Sequence, residues 1–148
     1  MTESRFRNKI YQYYKKHGLE CYLIHSSTEH GVDILIKQRD IFSEDRYIGL
    51  SVKVGNIKCS RGVNHSLATI IHQMIIASHY KFPELDEHNL DAVYLVTNGS
   101  ISPEAMKQIR SVRHPYRDFY FIQGVIINRL LNMPDVQNSA FGGETVRQ

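Results

Sequence analysis

The sequence lacks several features that would assign it to a specialised class of protein. Its two cysteines, Cys21 and Cys59, are too few for a disulfide framework, and their spacing does not suit a zinc site. We therefore expect reduced thiols and a cytoplasmic location. No apolar run reaches the roughly 18 residues of a membrane span, and the charged N-terminus is unlike a signal peptide. A membrane partner is not expected, and the sequence contains no internal repeat.

Size and charge limit the remaining classes. A chain of 148 residues is typically one domain, and it is long enough to bury a hydrophobic core. Hydrophobic residues make up 42% and charged residues 22%, which is ordinary for a globular protein. The formal net charge of +3 is mildly basic, so it permits a nucleic-acid partner without requiring one.

The spacing of apolar residues predicts the order of helices and strands. Helices are predicted over residues 2–16, 64–80, 103–114 and 124–132, and strands over 20–25, 32–37, 47–54, 91–97 and 118–122. Thr2, Asn64 and Ser102 are the expected N-caps of the first three helices. Three adjacent strands favour an antiparallel meander, whereas the later alternation of strands and helices favours parallel strands. We expect an α/β fold with a mixed central sheet of about five strands flanked by helices.

The end of the chain has a different composition. From Pro134 onward Asn, Ser and Gly dominate without periodicity, which is typical of a linker or a frayed tail. We therefore predict a folded domain over residues 1–133. Residues 134–148 are then a flexible segment, and a longer parent protein could continue from it into another domain.

Two predicted strands carry charged residues that could meet. Side chains alternate between the faces of a strand, so Asp33 should lie opposite Val32 and Ile34, while Ser51 and Lys53 should share one face of the next strand. If these strands pair as a hairpin, Asp33 and Lys53 project from the same side of the sheet. A carboxylate and an ammonium are costly in a core but useful in a cleft. The competing interpretation is a surface ion pair worth about 0–1 kcal/mol.

These residues, in this order, resemble the PD-(D/E)xK nucleases, and most of all the Mrr-type restriction endonucleases. The matching segments are Glu29-His30-Gly31-Val32-Asp33, then Ser51-Val52-Lys53, then Val93-Tyr94-Leu95-Val96-Thr97-Asn98-Gly99, followed by Ile101-Ser102-Pro103-Glu104-Ala105. The resemblance covers roughly residues 6–122. It implies a restriction-endonuclease-like fold and metal-dependent hydrolysis of DNA, as in the endonuclease module of a restriction or antiphage defence protein.

The resemblance also implies roles for individual residues. Asp33 would bind Mg²⁺ or Mn²⁺, with Glu29 and the backbone carbonyl of Val52 as further ligands. Lys53 would orient or activate the attacking water, or stabilise charge on the phosphate. Ser51 stands where the family usually has a Glu or Gln that helps to bind the metal. The catalytic residues would therefore be Asp33, Lys53 and Ser51.

The segment after Lys53 contains glycine and several basic residues. Lys58 and Arg61 are the expected contacts with the phosphate backbone of DNA. A plain surface loop is an equally compatible interpretation of this segment.

Two departures from the family pattern keep other functions open. Ser51 is a neutral ligand, and Arg7 follows Phe6 in the first helix at a point where the family often has an acid. One alternative is therefore a catalytically inactive nucleic-acid-binding module on the same fold. Another is a protein-interaction domain, and a homodimer is also left open.

Overall fold

The computed structural model describes residues 1–24, 30–59, 67–112 and 118–132. Within those ranges the helices are α1 (Glu3–Lys16), α2 (Leu67–His79), α3 (Pro103–Ser111) and α4 (Gly124–Leu130), and a 3₁₀ helix covers Pro83–Leu85. The strands are β1 (Glu20–Leu23), β2 (Ile34–Arg39), β3 (Asp45–Lys53), β4 (Ala92–Thr97) and β5 (Asp118–Ile122). The predicted tail over residues 134–148 lies outside the described residues.

The strands form one five-stranded sheet in the order β1-β2-β3-β4-β5. The first three strands are antiparallel neighbours, and β4 and β5 are parallel additions. The register places Ile34 opposite Leu50, and Gly49 opposite Val93. The expected α/β fold with a mixed sheet is therefore confirmed, and β3 is its central strand. None of the helices in the described ranges is long and apolar enough to cross a membrane.

Helix ends follow from local capping. The Thr2 hydroxyl oxygen accepts the N–H of Arg5 at 3.2 Å, and Ser102 accepts the N–H of Ala105 at 3.1 Å. Each cap satisfies a backbone donor that has no partner within its helix. These two predicted caps are confirmed. The third predicted cap, Asn64, lies outside the described residues. The described part of α2 begins at Leu67.

The turn between β2 and β3 is built around Asp40. Its carboxylate accepts the N–H groups of Phe42 at 2.8 Å and Glu44 at 3.0 Å, and it forms an ion pair with Arg46 at 3.1 Å. The backbone hydrogen bonds from Glu44 and Phe42, followed by Arg46, hold the pKa of Asp40 below its ordinary value. The loop predicted over residues 38–46 is therefore shorter, because both strands continue into this turn.

Two helical layers cover opposite faces of the sheet. α2 and α3 pack against Leu35, Val93 and Leu95, and this cluster holds most of the buried apolar residues. α1 and α4 pack on the other face, where Phe6 and Ile10 of α1 are fully buried. Burial of these two apolar faces is the main source of stability.

One predicted side-chain face is wrong. Val32 packs in the cluster under α2 together with Leu35, whereas Ile34 lies in the cluster under α1. The regular strand begins only at Ile34, so period-two alternation does not extend back through Asp33 to Val32. The residue before a strand therefore has an orientation that the strand period does not predict.

Candidate functional site

Asp33 lies immediately before β2 and extends the pairing of that strand with β3. Its backbone N–H donates to the carbonyl of Leu50 at 2.8 Å, and its side-chain Oδ2 accepts the N–H of Val52 at 2.7 Å. The residue is only 4% exposed. The carboxylate thus takes the place of a backbone acceptor at the end of the ladder, and a charge-assisted bond to a buried N–H fixes its orientation.

The other oxygen of this carboxylate faces α1. Asp33 Oδ1 lies 3.4 Å from Nη1 of Arg7, whose side chain is 29% exposed. A well-formed bond between a guanidinium and a carboxylate is usually about 2.7–2.9 Å long. The Arg7 contact is therefore a loose ion pair, and it compensates most directly for the buried charge of Asp33.

Lys53 has a different partner. Its Nζ donates to Oε1 of Gln73 at 3.1 Å, and Gln73 belongs to α2 on the opposite face of the sheet from α1. The expectation that the side chains of Asp33 and Lys53 project from the same side of the sheet is therefore wrong. The cross-strand ion pair is also wrong, since Asp33 pairs with Arg7 instead. The physical reason is that Asp33 precedes the regular strand and binds the backbone of β3, while Lys53 follows the strand period.

Gly31 connects the Asp33 segment to α2. It has a φ of +88°, and a Cβ at this position would lie 2.0 Å from the carbonyl oxygen of Gln73. Only glycine combines that backbone conformation with such a close approach. Gln73 therefore contacts Gly31 through its backbone and Lys53 through its side chain, so it joins the two halves of the candidate site.

Ser51 lies on β3 next to this arrangement. It is 1% exposed and pairs with Leu95 of β4, while Lys53 pairs with the buried Thr97. Leu50 and Val52 lie in the cluster under α1, so the side chains of Ser51 and Lys53 lie on the opposite face of β3, towards α2. Ser51 and Lys53 therefore share one face of β3, whereas the Asp33 carboxylate binds the backbone of Val52 and lies towards α1.

Polar side chains fix the chain that follows Lys53. Oδ1 of Asn98 accepts the N–H of Gly55 at 2.8 Å, and the Thr97 hydroxyl donates to the carbonyl of Gly55. Oδ1 of Asn56 accepts the N–H of Ser100 at 2.9 Å. The Thr-Asn-Gly segment therefore joins the ends of β3 and β4, which is a structural role beside the candidate site.

Of the remaining predicted residues, only Lys58 lies in the described part of the chain. Lys58 is exposed, directly after the buried Ile57, so it is available to a ligand. Glu29 and Arg61 lie outside the described residues. Their assigned roles stay predictions, as do those of Asp33, Ser51, Val52 and Lys53.

The donor set can be tested against Mg²⁺. The described residues contain no group of three or more His, Cys, Asp or Glu side chains that could hold a metal ion. Mg²⁺ usually takes one or two protein carboxylates and completes its shell with water and substrate phosphates. Each oxygen of Asp33 has two lone pairs and one described partner, so a lone pair remains on each, although a cation on Oδ1 would have to displace Arg7. The described residues thus supply one carboxylate, which is the lower limit of what Mg²⁺ usually takes from a protein.

Sequence reasoning missed Gln73 and the contact made by Arg7. Gln73 comes three residues after the buried Ile70 and directly before the buried Met74, so it is a polar residue beside the apolar face of a helix. That position was a usable signal for a buried polar contact. The sequence marks Arg7 only as one of several basic residues of the first helix, at a point where the resembled family often has an acid. Its pairing with Asp33, 26 residues away, has no sequence signature.

Comparison with known proteins adds no identity. No family model matches the chain, and searches of curated proteins and of solved structures return no match.

Proposed function

We propose that this chain is a metal-dependent nuclease domain acting on DNA, centred on Asp33 and Lys53. One observation carries the proposal: a buried carboxylate is held on the N–H of Val52, directly before Lys53 at the end of β3. A buried carboxylate whose only described cationic partner is a loose ion pair is costly in a core, which favours a functional role for Asp33. The order and pairing of the strands support the same proposal, since the resemblance implies a mixed sheet with helices on both faces.

Each residue has a distinct role in this proposal. Asp33, the Val52 carbonyl and Glu29 would hold Mg²⁺ or Mn²⁺, which supplies positive charge for the phosphate and lowers the pKa of a bound water. The N–H of Val52 keeps the Asp33 carboxylate in one orientation. The Lys53 ammonium has three donors, and Gln73 occupies one of them, so two remain for a water or a phosphate oxygen.

DNA contact would extend beyond these residues. Lys58 is exposed on the segment that follows Lys53, and Arg61 comes three residues later in the sequence. Contacts from such residues neutralise the phosphate backbone and make binding depend on salt concentration. They would position the duplex without reading its sequence.

A second candidate function is a DNA-binding module without catalysis. The specific observation in its favour is the ion pair between Arg7 and Asp33, because the buried carboxylate already has a cationic partner in the protein. A permanent pair of this kind would leave Asp33 as a structural residue. Both candidates bind DNA in a salt-dependent way, so only cleavage separates them.

Nicking of supercoiled plasmid in Mg²⁺, Mn²⁺ or EDTA tests the nuclease proposal. We expect cleavage by the wild type with metal and none in EDTA. Asp33→Ala and Lys53→Ala should abolish it, with more metal binding retained in Lys53→Ala. Asp45→Ala is the matched control, since Asp45 is also an aspartate that forms ion pairs on the β2–β3 hairpin, at the opposite end of β3. If Asp33→Ala cuts as well as the wild type, the nuclease assignment at this site is wrong.

The same metal titration includes Ser51→Glu, with the uncharged Ser51→Gln as its control. The resemblance implies that an acid at this position helps to bind the metal, so Ser51→Glu should lower the Mg²⁺ concentration needed for half-maximal cleavage. A charge introduced at a position that is 1% exposed should reduce stability in the metal-free protein, because burying an unpaired carboxylate is costly. If neither the wild type nor Ser51→Glu cuts with any metal, the non-catalytic DNA-binding module becomes the better interpretation.

A further inference from the structure

Arg7 is a charged residue that contacts the candidate site and that the proposed chemistry does not use. Its guanidinium lies 3.4 Å from Asp33 Oδ1, the carboxylate oxygen that is not bound to the N–H of Val52. A divalent cation on that oxygen would be a like charge within a few ångströms of Arg7. Like charges at this separation disfavour each other strongly when they are partly buried. Arg7 and a metal ion therefore cannot both be close partners of Asp33 Oδ1.

Arg7 is also able to leave Asp33. Its side chain is 29% exposed and its contact with Asp33 is long. The same helix also carries exposed cations at Arg5 and Lys9, which would favour a phosphate nearby. The planar guanidinium binds phosphate with two parallel hydrogen bonds, a geometry that suits the proposed DNA ligand. An incoming phosphate would thus be a stronger partner for Arg7 than the loose contact with Asp33.

We infer that Arg7 is the internal counter-ion of Asp33 in the metal-free protein, and that it moves to a DNA phosphate when a divalent cation binds Asp33. This inference rests on the proposed function, because it requires a metal at Asp33. It makes Arg7 a positioning residue that couples the two ligands. Because coupling between two binding sites is reciprocal, DNA should raise the affinity for metal by the same factor as metal raises the affinity for DNA.

The first measurement is Mn²⁺ binding in the absence of DNA. The electron paramagnetic resonance signal of free Mn²⁺ reports how much of the metal is unbound. Arg7→Gln should bind Mn²⁺ about tenfold more tightly than the wild type, within the range typical of coupled sites. Arg5→Gln is the matched control, because it removes the same charge from the exposed surface of the same helix and should leave the affinity unchanged. Arg7→Lys keeps the charge and should stay close to the wild type, which provides a second variant if Arg7→Gln does not fold.

The second measurement is the fluorescence anisotropy of a labelled DNA duplex, which reports DNA binding by the protein. Ca²⁺ is added at constant ionic strength in place of Mg²⁺ or Mn²⁺. The wild type should gain DNA affinity as Ca²⁺ binds, and Arg7→Gln should lose most of that gain. An equal gain in both proteins would overturn the exchange of Arg7 from Asp33 to phosphate.

Asp33→Ala separates the two ways in which the inference can fail. If Asp33→Ala removes Mn²⁺ binding while Arg7→Gln leaves the affinity at its wild-type value, the metal site stands and only the role of Arg7 is wrong. If Asp33→Ala binds Mn²⁺ like the wild type, the metal is not at Asp33, and both the proposed function and this inference are wrong. Tighter binding in Arg7→Gln but not in Arg5→Gln, lost again in Asp33→Ala, supports both.

Discussion

An aspartate at each end of β2 accepts at least one backbone N–H through its carboxylate and pairs with an arginine. Asp40, after the strand, accepts the N–H groups of Phe42 and Glu44 and pairs with Arg46. Asp33, before the strand, accepts the N–H of Val52 and pairs with Arg7. The chemical groups are the same at both ends, so the comparison isolates the effect of their surroundings.

The difference lies in where the partners come from. Every partner of Asp40 is within 6 residues of it along the chain. The side-chain partners of Asp33 are 19 and 26 residues away, and Asp33 itself is 4% exposed. A surface turn can therefore form from its own sequence, whereas the Asp33 arrangement exists only when β3 and α1 are both in place. We expect substitutions around Asp33 to affect the whole fold and those around Asp40 to stay local.

The largest expected effect is at Gly31, which sets the approach of the Asp33 segment to α2. Gly31→Ala should reduce the free energy of unfolding by roughly 3–5 kcal/mol, because it adds a Cβ 2.0 Å from the Gln73 carbonyl oxygen at a positive φ. Gly18→Ala is the matched control: its φ is +81°, but no atom lies within 4 Å of the added Cβ. That variant should cost about 1–2 kcal/mol from the backbone conformation alone. Equal losses in urea unfolding would mean that close packing at Gly31 contributes nothing.

A smaller effect is expected from removing the charge at either end of β2. Asp33→Asn keeps an oxygen for the N–H of Val52 but leaves Arg7 without its anionic partner, so a loss of about 1–3 kcal/mol is expected. Asp40→Asn keeps a side chain that turns accept readily, and its ion pair is at the surface. Its urea midpoint should move less than that of Asp33→Asn. The reverse order would contradict the contrast between tertiary and local partners.

The smallest expected effect is the pH dependence of the Asp40 turn. Because the folded-state pKa of Asp40 is lowered, its carboxylate stabilises the fold above the unfolded-state pKa and loses that contribution as the pH falls through the folded-state pKa. The difference in Tm between the wild type and Asp40→Asn should therefore be largest near neutral pH. It should shrink below the ordinary aspartate pKa of about 3.9. A difference that grows on acidification would show that Asp40 is not held in its charged form.

Much of the candidate site could be anticipated from the sequence, but its contacts could not. Gly31, Asp33, Ser51 and Lys53 stand out by residue type and by their positions at strand ends. Their relative orientation was predicted incorrectly, because one residue outside the regular strand breaks the period on which the prediction depended. Gln73 and Arg7 reach the site from two different helices. Their partners, Lys53 and Asp33, are 20 and 26 residues away along the chain.

The sequence by itself determined the order of helices and strands, the caps at Thr2 and Ser102, and the mixed sheet. These features depend on apolar periodicity and on hydrogen bonds between residues a few positions apart. Only the tertiary structure decided that Asp33 binds the backbone of β3 and pairs with Arg7, while Lys53 turns to Gln73 on the other face. A buried charge takes whichever partner the packed chain brings within reach, and burial is a property of the whole fold rather than of any segment.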